Sequence, residues 1–234
     1  METSLDTNEQ PALTRMIYAF CGGTVFYWLL EYSVMVVFSR QRPVPWALYR
    51  WGDYVTNGGF FAAMLIVVAA YGFRAEVFLW RDEPTERVTS CVSSGFLGIL
   101  GGLVALLIAS PTVWFGWDTA RLRSIGTLIA NALSPLPILF LVVVALALAF
   151  SSEMVFRGIV LKTLARYTTI SAAALVSCLL FACLFPVLGL VAAIILGVTS
   201  SILYYSTRNL VAPILANALF TVGCSGIALY QRLR

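Results

Sequence analysis

The chain contains no histidine. That absence removes the commonest general base, the commonest zinc ligand and every Ser-His or Cys-His nucleophile together. Charge is scarce as well: 15 basic and 11 acidic side chains make up 11% of the 234 residues, where a soluble domain carries roughly a quarter. The net charge of +4 is spread along the chain and forms no basic stripe, which excludes a nucleic-acid partner. Five cysteines (Cys21, Cys91, Cys178, Cys183, Cys224) are odd in number, scattered and mostly inside apolar runs. Neither a disulfide framework nor a CxxC metal site follows from them.

What the sequence has in excess is apolar surface. Hydrophobic residues make up 60% of it and the mean hydropathy is +0.90, values that belong in a membrane. Residues 1–14 form a polar tail with Glu2, Asp6 and Glu9, and the apolar run behind it is too long for a signal-peptide core, so it reads as a retained helix. Crossing hydrocarbon takes about 20 predominantly apolar residues. Qualifying runs fall at about 16–38, 57–80, 93–114, 125–151, 169–186, 187–206 and 209–230. The expected fold is all-α, a polytopic transmembrane helical bundle of about seven spans, with six to eight compatible with the pattern. Pro135 and Pro137 interrupt the fourth run, which leaves open an interfacial helix from about Ser124 followed by a span starting near Ser134. Basic residues divide almost evenly between the two sides, so orientation is weakly specified. The clusters at 74–87 and 157–166, close to span ends, favour a cytoplasmic N-terminus.

Span three carries Gly95, Gly98, Gly101 and Gly102, with a GxxxG pair at Gly98 and Gly102. Such a face admits the close approach of another helix, and packing within the chain is expected ahead of dimerisation. Trp46, Trp51, Trp80, Trp114 and Trp117 sit near span ends as interfacial anchors.

Ionisable residues in apolar surroundings are costly and each needs a reason. Glu31 lies in the middle of span one, either as a protonated carboxyl in the bundle or as partner to an arginine such as Arg157; with no second acid near it in sequence, a structural role is expected. Ser151, Ser152, Glu153 and Arg157 form the most informative stretch. Glu153 and Arg157 stand at i and i+4 with the acid first, the favourable order for a helical pair. From pattern alone they read as a salt bridge closing span four at the membrane surface, with Lys162 and Arg166 reaching toward headgroups. Phe181 and Phe185 lie one turn apart just before Pro186 and form a packing stripe. Asn217, Thr221 and Cys224 or Ser225 share one face of the last span, as hydrogen-bonding glue or as the wall of a small cavity. No metal and no cofactor is expected, because a catalytic zinc needs three protein ligands and Glu153 with Cys178, Cys183 or Cys224 does not supply them.

Taken in order, these stretches resemble the CPBP family of intramembrane proteases, which includes CAAX prenyl endopeptidases of the Rce type and bacterial Abi proteins. The family pattern is EExxxR, often EExxFRG, then FxxxH, then HxxxN or HxxxD after an API-like run. Here the first motif reads Ser152-Glu153-Met154-Val155-Phe156-Arg157-Gly158, the second runs from Phe181 to Phe185, and the third from Asn217 to Thr221 after Ala212-Pro213-Ile214-Leu215. The resemblance covers roughly residues 130–230. It implies a division into a polar tail (1–14), N-terminal transmembrane helices (15–129) and CPBP-like core helices (130–234), in an integral, multi-pass protein of a bacterial plasma membrane.

The departures from the pattern bear directly on function. The family's first glutamate and two histidines, which the resemblance implies activate water, stand here as Ser152, Phe185 and Asn217, and the final position is Thr221. Serine without a neighbouring base is a weak nucleophile, phenylalanine neither accepts nor donates a proton, and asparagine is no base near neutral pH. No catalytic residue is therefore expected. The leading expectation is a non-catalytic scaffold or regulatory subunit that binds another membrane protein or its transmembrane helix, in contact with membrane lipids. The alternatives are an active endopeptidase using Glu153, and a small transporter or lipid-handling protein using Glu31, Glu153 and Arg157. No internal repeat or matched pair of broken helices supports the last.

Overall fold

The computed structural model describes residues 10–39, 58–69, 91–114, 135–184 and 190–233. Among them every regular element is a helix: α1 (Gln10–Ser39), α2 (Gly58–Ala69), α3 (Cys91–Trp114), α4 (Pro135–Glu153), α5 (Ile170–Ala182), α6 (Leu190–Thr207) and α7 (Val211–Leu233). Four stretches are long and apolar enough to cross a membrane, Leu13–Val34, Cys91–Pro111, Val142–Leu164 and Leu190–Thr207, and shorter apolar stretches occupy Gly58–Ala69, Ile170–Ala182 and Val211–Ile227. Each of the seven apolar runs of the sequence overlaps a described helix, as an integral membrane bundle requires, while residues 70–80, 125–134 and 185–189 of those runs lie outside the described residues.

Span four starts near Ser134, as one reading of its two prolines allowed, with the stretch from Ser124 lying outside the described residues, and it ends further on than its composition suggests. α4 starts at Pro135, with Pro137 in the same turn. There the missing N–H groups cost nothing, because the first turn of a helix has no partners for them. At its other end the rod does not stop near residue 151 at a charged surface. It runs on as a π-helix from Met154 to Leu161 and a last α-turn from Lys162 to Leu164. All eight π-helical residues are buried, Arg157 included. A helix buried on every side is the centre of the bundle, not its rim.

After the rod the links are short, residues 165–169 before α5 and 208–210 between α6 and α7. Thr169 caps α5 by accepting a hydrogen bond from the Ala172 amide (3.3 Å). Arg208, at φ 56°, turns the chain sharply after α6. This left-handed conformation is uncommon outside glycine. Asn209 then accepts from the Val211 amide (2.9 Å) at the start of α7, and Thr207 donates to the Leu203 carbonyl (2.7 Å).

α3 lies against α6 and α7. A methyl group added at Gly98 would meet the Ala212 carbonyl oxygen at 2.4 Å, and one added at Gly102 would meet the Ala216 carbonyl oxygen at 2.8 Å. The GxxxG pair therefore faces an AxxxA pair of the last helix, backbone on backbone. Phe20 of α1 meets Phe156 of the rod edge-on (5.7 Å), and Tyr27 of α1 meets Phe60 of α2 in the same way (5.6 Å).

Candidate polar site in the bundle core

Three helices supply the polar groups at the centre. Ser152 and Glu153 end α4, Arg157 sits on the π-helical segment, Ser200 projects from α6, and Asn217 and Thr221 lie on one face of α7. Glu153 and Arg157 are fully enclosed, and Ser200 equally so. Arg157 Nε lies 3.1 Å from Glu153 Oε2. The other carboxylate oxygen, Oε1, accepts hydrogen bonds from Asn217 Nδ2 (2.8 Å) and Ser200 Oγ (3.2 Å). Asn217 Nδ2 also donates to Ser152 Oγ (3.2 Å), and Thr221 Oγ1 donates to Asn217 Oδ1 (3.4 Å). Ser152 gives its own hydrogen to the Ala149 carbonyl (3.1 Å).

Arg157 is held from three directions. Nη2 donates to the Gly197 carbonyl of α6 (2.8 Å), which also receives Ser201 Oγ (2.9 Å). The guanidinium carbon stands 5.0 Å from the centre of the Phe181 ring, a cation–π contact from α5. Phe181 in turn packs edge-on against Phe156 (5.2 Å). Gly197 also lets α5 pack closely on α6: a methyl group there would meet Cys178 Sγ at 2.6 Å.

The π-helix is what presents Arg157 to these partners. Widening the helix by one residue per turn breaks the usual carbonyl register and is uncommon, occurring most often at functional sites. Ser177 of α5 donates to the Phe156 carbonyl (2.7 Å). Serine in the middle of an apolar helix thus acts as a clamp on its neighbour's backbone.

Ser152, Glu153, Arg157, Phe181, Asn217 and Thr221 come together in one cluster. Phe185 lies outside the described residues, as does the side chain of Glu31. Ser225 donates to the Thr221 carbonyl (2.7 Å), within its own helix, and Cys178 approaches the Ile194 carbonyl (3.5 Å). Among the described residues no three Cys, Asp or Glu side chains gather as metal ligands. Ser200, Gly197 and Ser177 were not singled out by the sequence reading. The signal available was a small, polar stripe at Gly197, Ser200 and Ser201, spaced i, i+3, i+4 in an otherwise apolar helix.

Chemically the cluster ties its groups to one another. Both amide hydrogens of Asn217 are engaged, leaving none to stabilise an oxyanion. No histidine exists to relay a proton, and Ser152 faces an amide rather than a base.

Residues 134–223 match the family model described as type II CAAX prenyl endopeptidase Rce1-like. Comparison with curated proteins and with solved structures gives no match. The matched segment begins one residue before α4 and ends within α7, so it contains every member of the polar cluster. The similarity to the Rce1-like model is confined to residues 134–223.

Proposed function

We propose that this protein is a non-catalytic member of the CPBP group, a multi-pass protein of the bacterial plasma membrane that binds a membrane-protein partner or its transmembrane helix as a scaffold or regulatory subunit. The observation that carries this reading is the engagement of Glu153. Its carboxylate is the one acid in the cluster; Oε1 takes two hydrogen bonds, Oε2 lies beside Arg157, and the side chain is wholly enclosed. A general base must reach the proton it removes, directly or through one water. A carboxylate surrounded by an arginine, an amide and a hydroxyl is placed to hold three helices together.

A competing reading, an endopeptidase with Glu153 as base, draws on the one carboxylate oxygen without a hydrogen-bond partner, Oε2. The two separate on cleavage of a prenylated peptide by the purified chain and by Glu153→Gln. The proposal expects no product from either protein, together with stoichiometric recovery of a membrane-protein partner from mild detergent. Turnover by the parent that disappears in Glu153→Gln would establish the endopeptidase instead.

A further inference from the structure

Three cations flank one seam at the end of the rod, on segments far apart in sequence. α2 lies antiparallel along α1: a methyl group at Gly59 would meet Leu30, Phe60 meets Tyr27, and a methyl group at Gly23 would meet Ala63 and Val67. On that register α2 reaches Ala69, its end, near Phe20. Earlier on α1, Met16 is buried and Leu13 is partly buried against the same core as Leu164 and Ala165. Their cover is the end of the rod, since α1 packs on the Lys162–Leu164 turn. The lengths agree: with Phe20 on Phe156, α1 back to Leu13 and the rod on to Leu164 each advance roughly 10 Å. Arg15 therefore stands on one side of the seam, and Lys162 and Arg166 on the other.

Arg15 and Arg166 are exposed and Lys162 is half-buried, while residues 10–17 and 158–172 hold no acidic side chain. The candidate spans Leu13–Val34 and Val142–Leu164 begin and end here, which puts Arg15 two residues inside the first and Arg166 two residues beyond the second. Cations at that depth reach the headgroup layer.

The surface beneath the cations decides which anion fits. Arg15 heads an exposed stripe of α1, Tyr18 (74%), Gly22, Val25 (57%) and Leu29 (62%), at alternating spacings of three and four. A methyl group added at Gly22 would touch nothing within 4 Å, so the stripe dips at its middle. An acidic peptide would use the cations alone. A phospholipid uses both features, with its phosphate at the cations and an acyl chain laid along the stripe. A zwitterionic headgroup brings an ammonium that the three cations repel, so an anionic one fits better.

We propose that the seam between the start of α1 and the end of the rod binds an anionic phospholipid, its phosphate held by Arg15 and Arg166 and one acyl chain lying on the Tyr18–Leu29 stripe. The site is separate from the polar cluster, so it stands whether or not the chain cleaves peptides.

Native mass spectrometry of the full chain released from detergent, with phosphatidylglycerol or phosphatidylcholine of identical acyl chains, tests the site. The parent should retain one phosphatidylglycerol several times more often than phosphatidylcholine, and an excess of inorganic phosphate should leave that lipid in place. Arg15→Gln with Arg166→Gln should bring phosphatidylglycerol down to the phosphatidylcholine level, whereas Arg232→Gln with Arg234→Gln, an equal loss of charge around the end of α7, should not. Equal retention of the two lipids by the parent overturns the proposal without any variant. Undiminished retention by a double Arg15, Arg166 variant with parental circular dichroism overturns it too, as does an equal loss in the Arg232, Arg234 control. Displacement by inorganic phosphate would make this a site for a free anion, and displacement by a glutamate-rich peptide would make it a protein contact; either result overturns the lipid site.

Discussion

Removing one member of the Glu153–Arg157 pair should cost more than removing both, and the two single losses should be unequal. Breaking a buried ion pair by deleting one partner costs roughly 3–5 kcal/mol, because a charge is left in a poorly polarisable surrounding. Arg157→Leu leaves Glu153 with hydrogen bonds from Asn217 and Ser200, and a carboxyl can take up a proton. Its cost should fall at the lower end of that range. Glu153→Leu leaves a guanidinium that cannot shed its proton, held by one carbonyl and one ring face. It also frees Ser200 Oγ and one hydrogen of Asn217, so its cost should reach the upper end. The double change removes both charges and leaves only the neutral groups short of partners, about 1–3 kcal/mol. The expected order of loss is therefore Glu153→Leu, then Arg157→Leu, then the double variant. Unfolding midpoints of purified protein in mixed detergent micelles, followed by circular dichroism, read this order. Double-variant loss equal to the sum of the singles would refute the coupling, and singles that unfold like the parent would refute the pair as a stabilising contact.

Two further outcomes are expected. Gly98→Ala places a methyl group 2.4 Å from the Ala212 carbonyl oxygen and must separate α3 from α7, at about 1–3 kcal/mol in the same unfolding assay, whereas Gly95→Ala meets only a Leu215 methyl at 3.4 Å and should unfold close to the parent. Ser177→Ala removes a buried hydrogen bond to the Phe156 carbonyl, at about 1 kcal/mol, and a variant as stable as the parent would show that the π-helix needs no clamp from α5.

The helices were legible because the bilayer demands long apolar runs and the chain supplies them with little else. The motif order was legible too, since Glu153, Arg157, Phe181 and Asn217 stand at the family's spacings. The end of span four was not. A glutamate, an arginine and a glycine close together look like a membrane boundary, because composition reports each charge singly. In the folded chain Glu153 and Arg157 lie side by side and the helix carries them inward. The π-helix was not legible either: its eight residues carry no local mark of it, and the groups that bond it from other helices, Gly197 and Ser177, are distant in sequence. Ser200 escaped notice because a serine in an apolar helix ordinarily bonds its own backbone, as Thr199 does to the Ile195 carbonyl (2.9 Å).

The glycine face of α3 reaches beyond packing. Residues 91–114 lie outside the segment that matches the Rce1-like model, yet their glycines sit on the backbone of Ala212 and Ala216 inside it. Cut away from α3, the recognisable part of the chain would show lipid the backbone at Ala212 and Ala216, flanked by Leu203 and Leu215, where the glycine face now sits. Two fragments, one ending in the stretch between α3 and α4 and one beginning there, carry the two halves of that fit. Expressed as separate polypeptides in the same membrane, they hold what is needed to reassemble without a covalent link, and a swap of the glycines for larger residues in the first fragment should be enough to keep them apart.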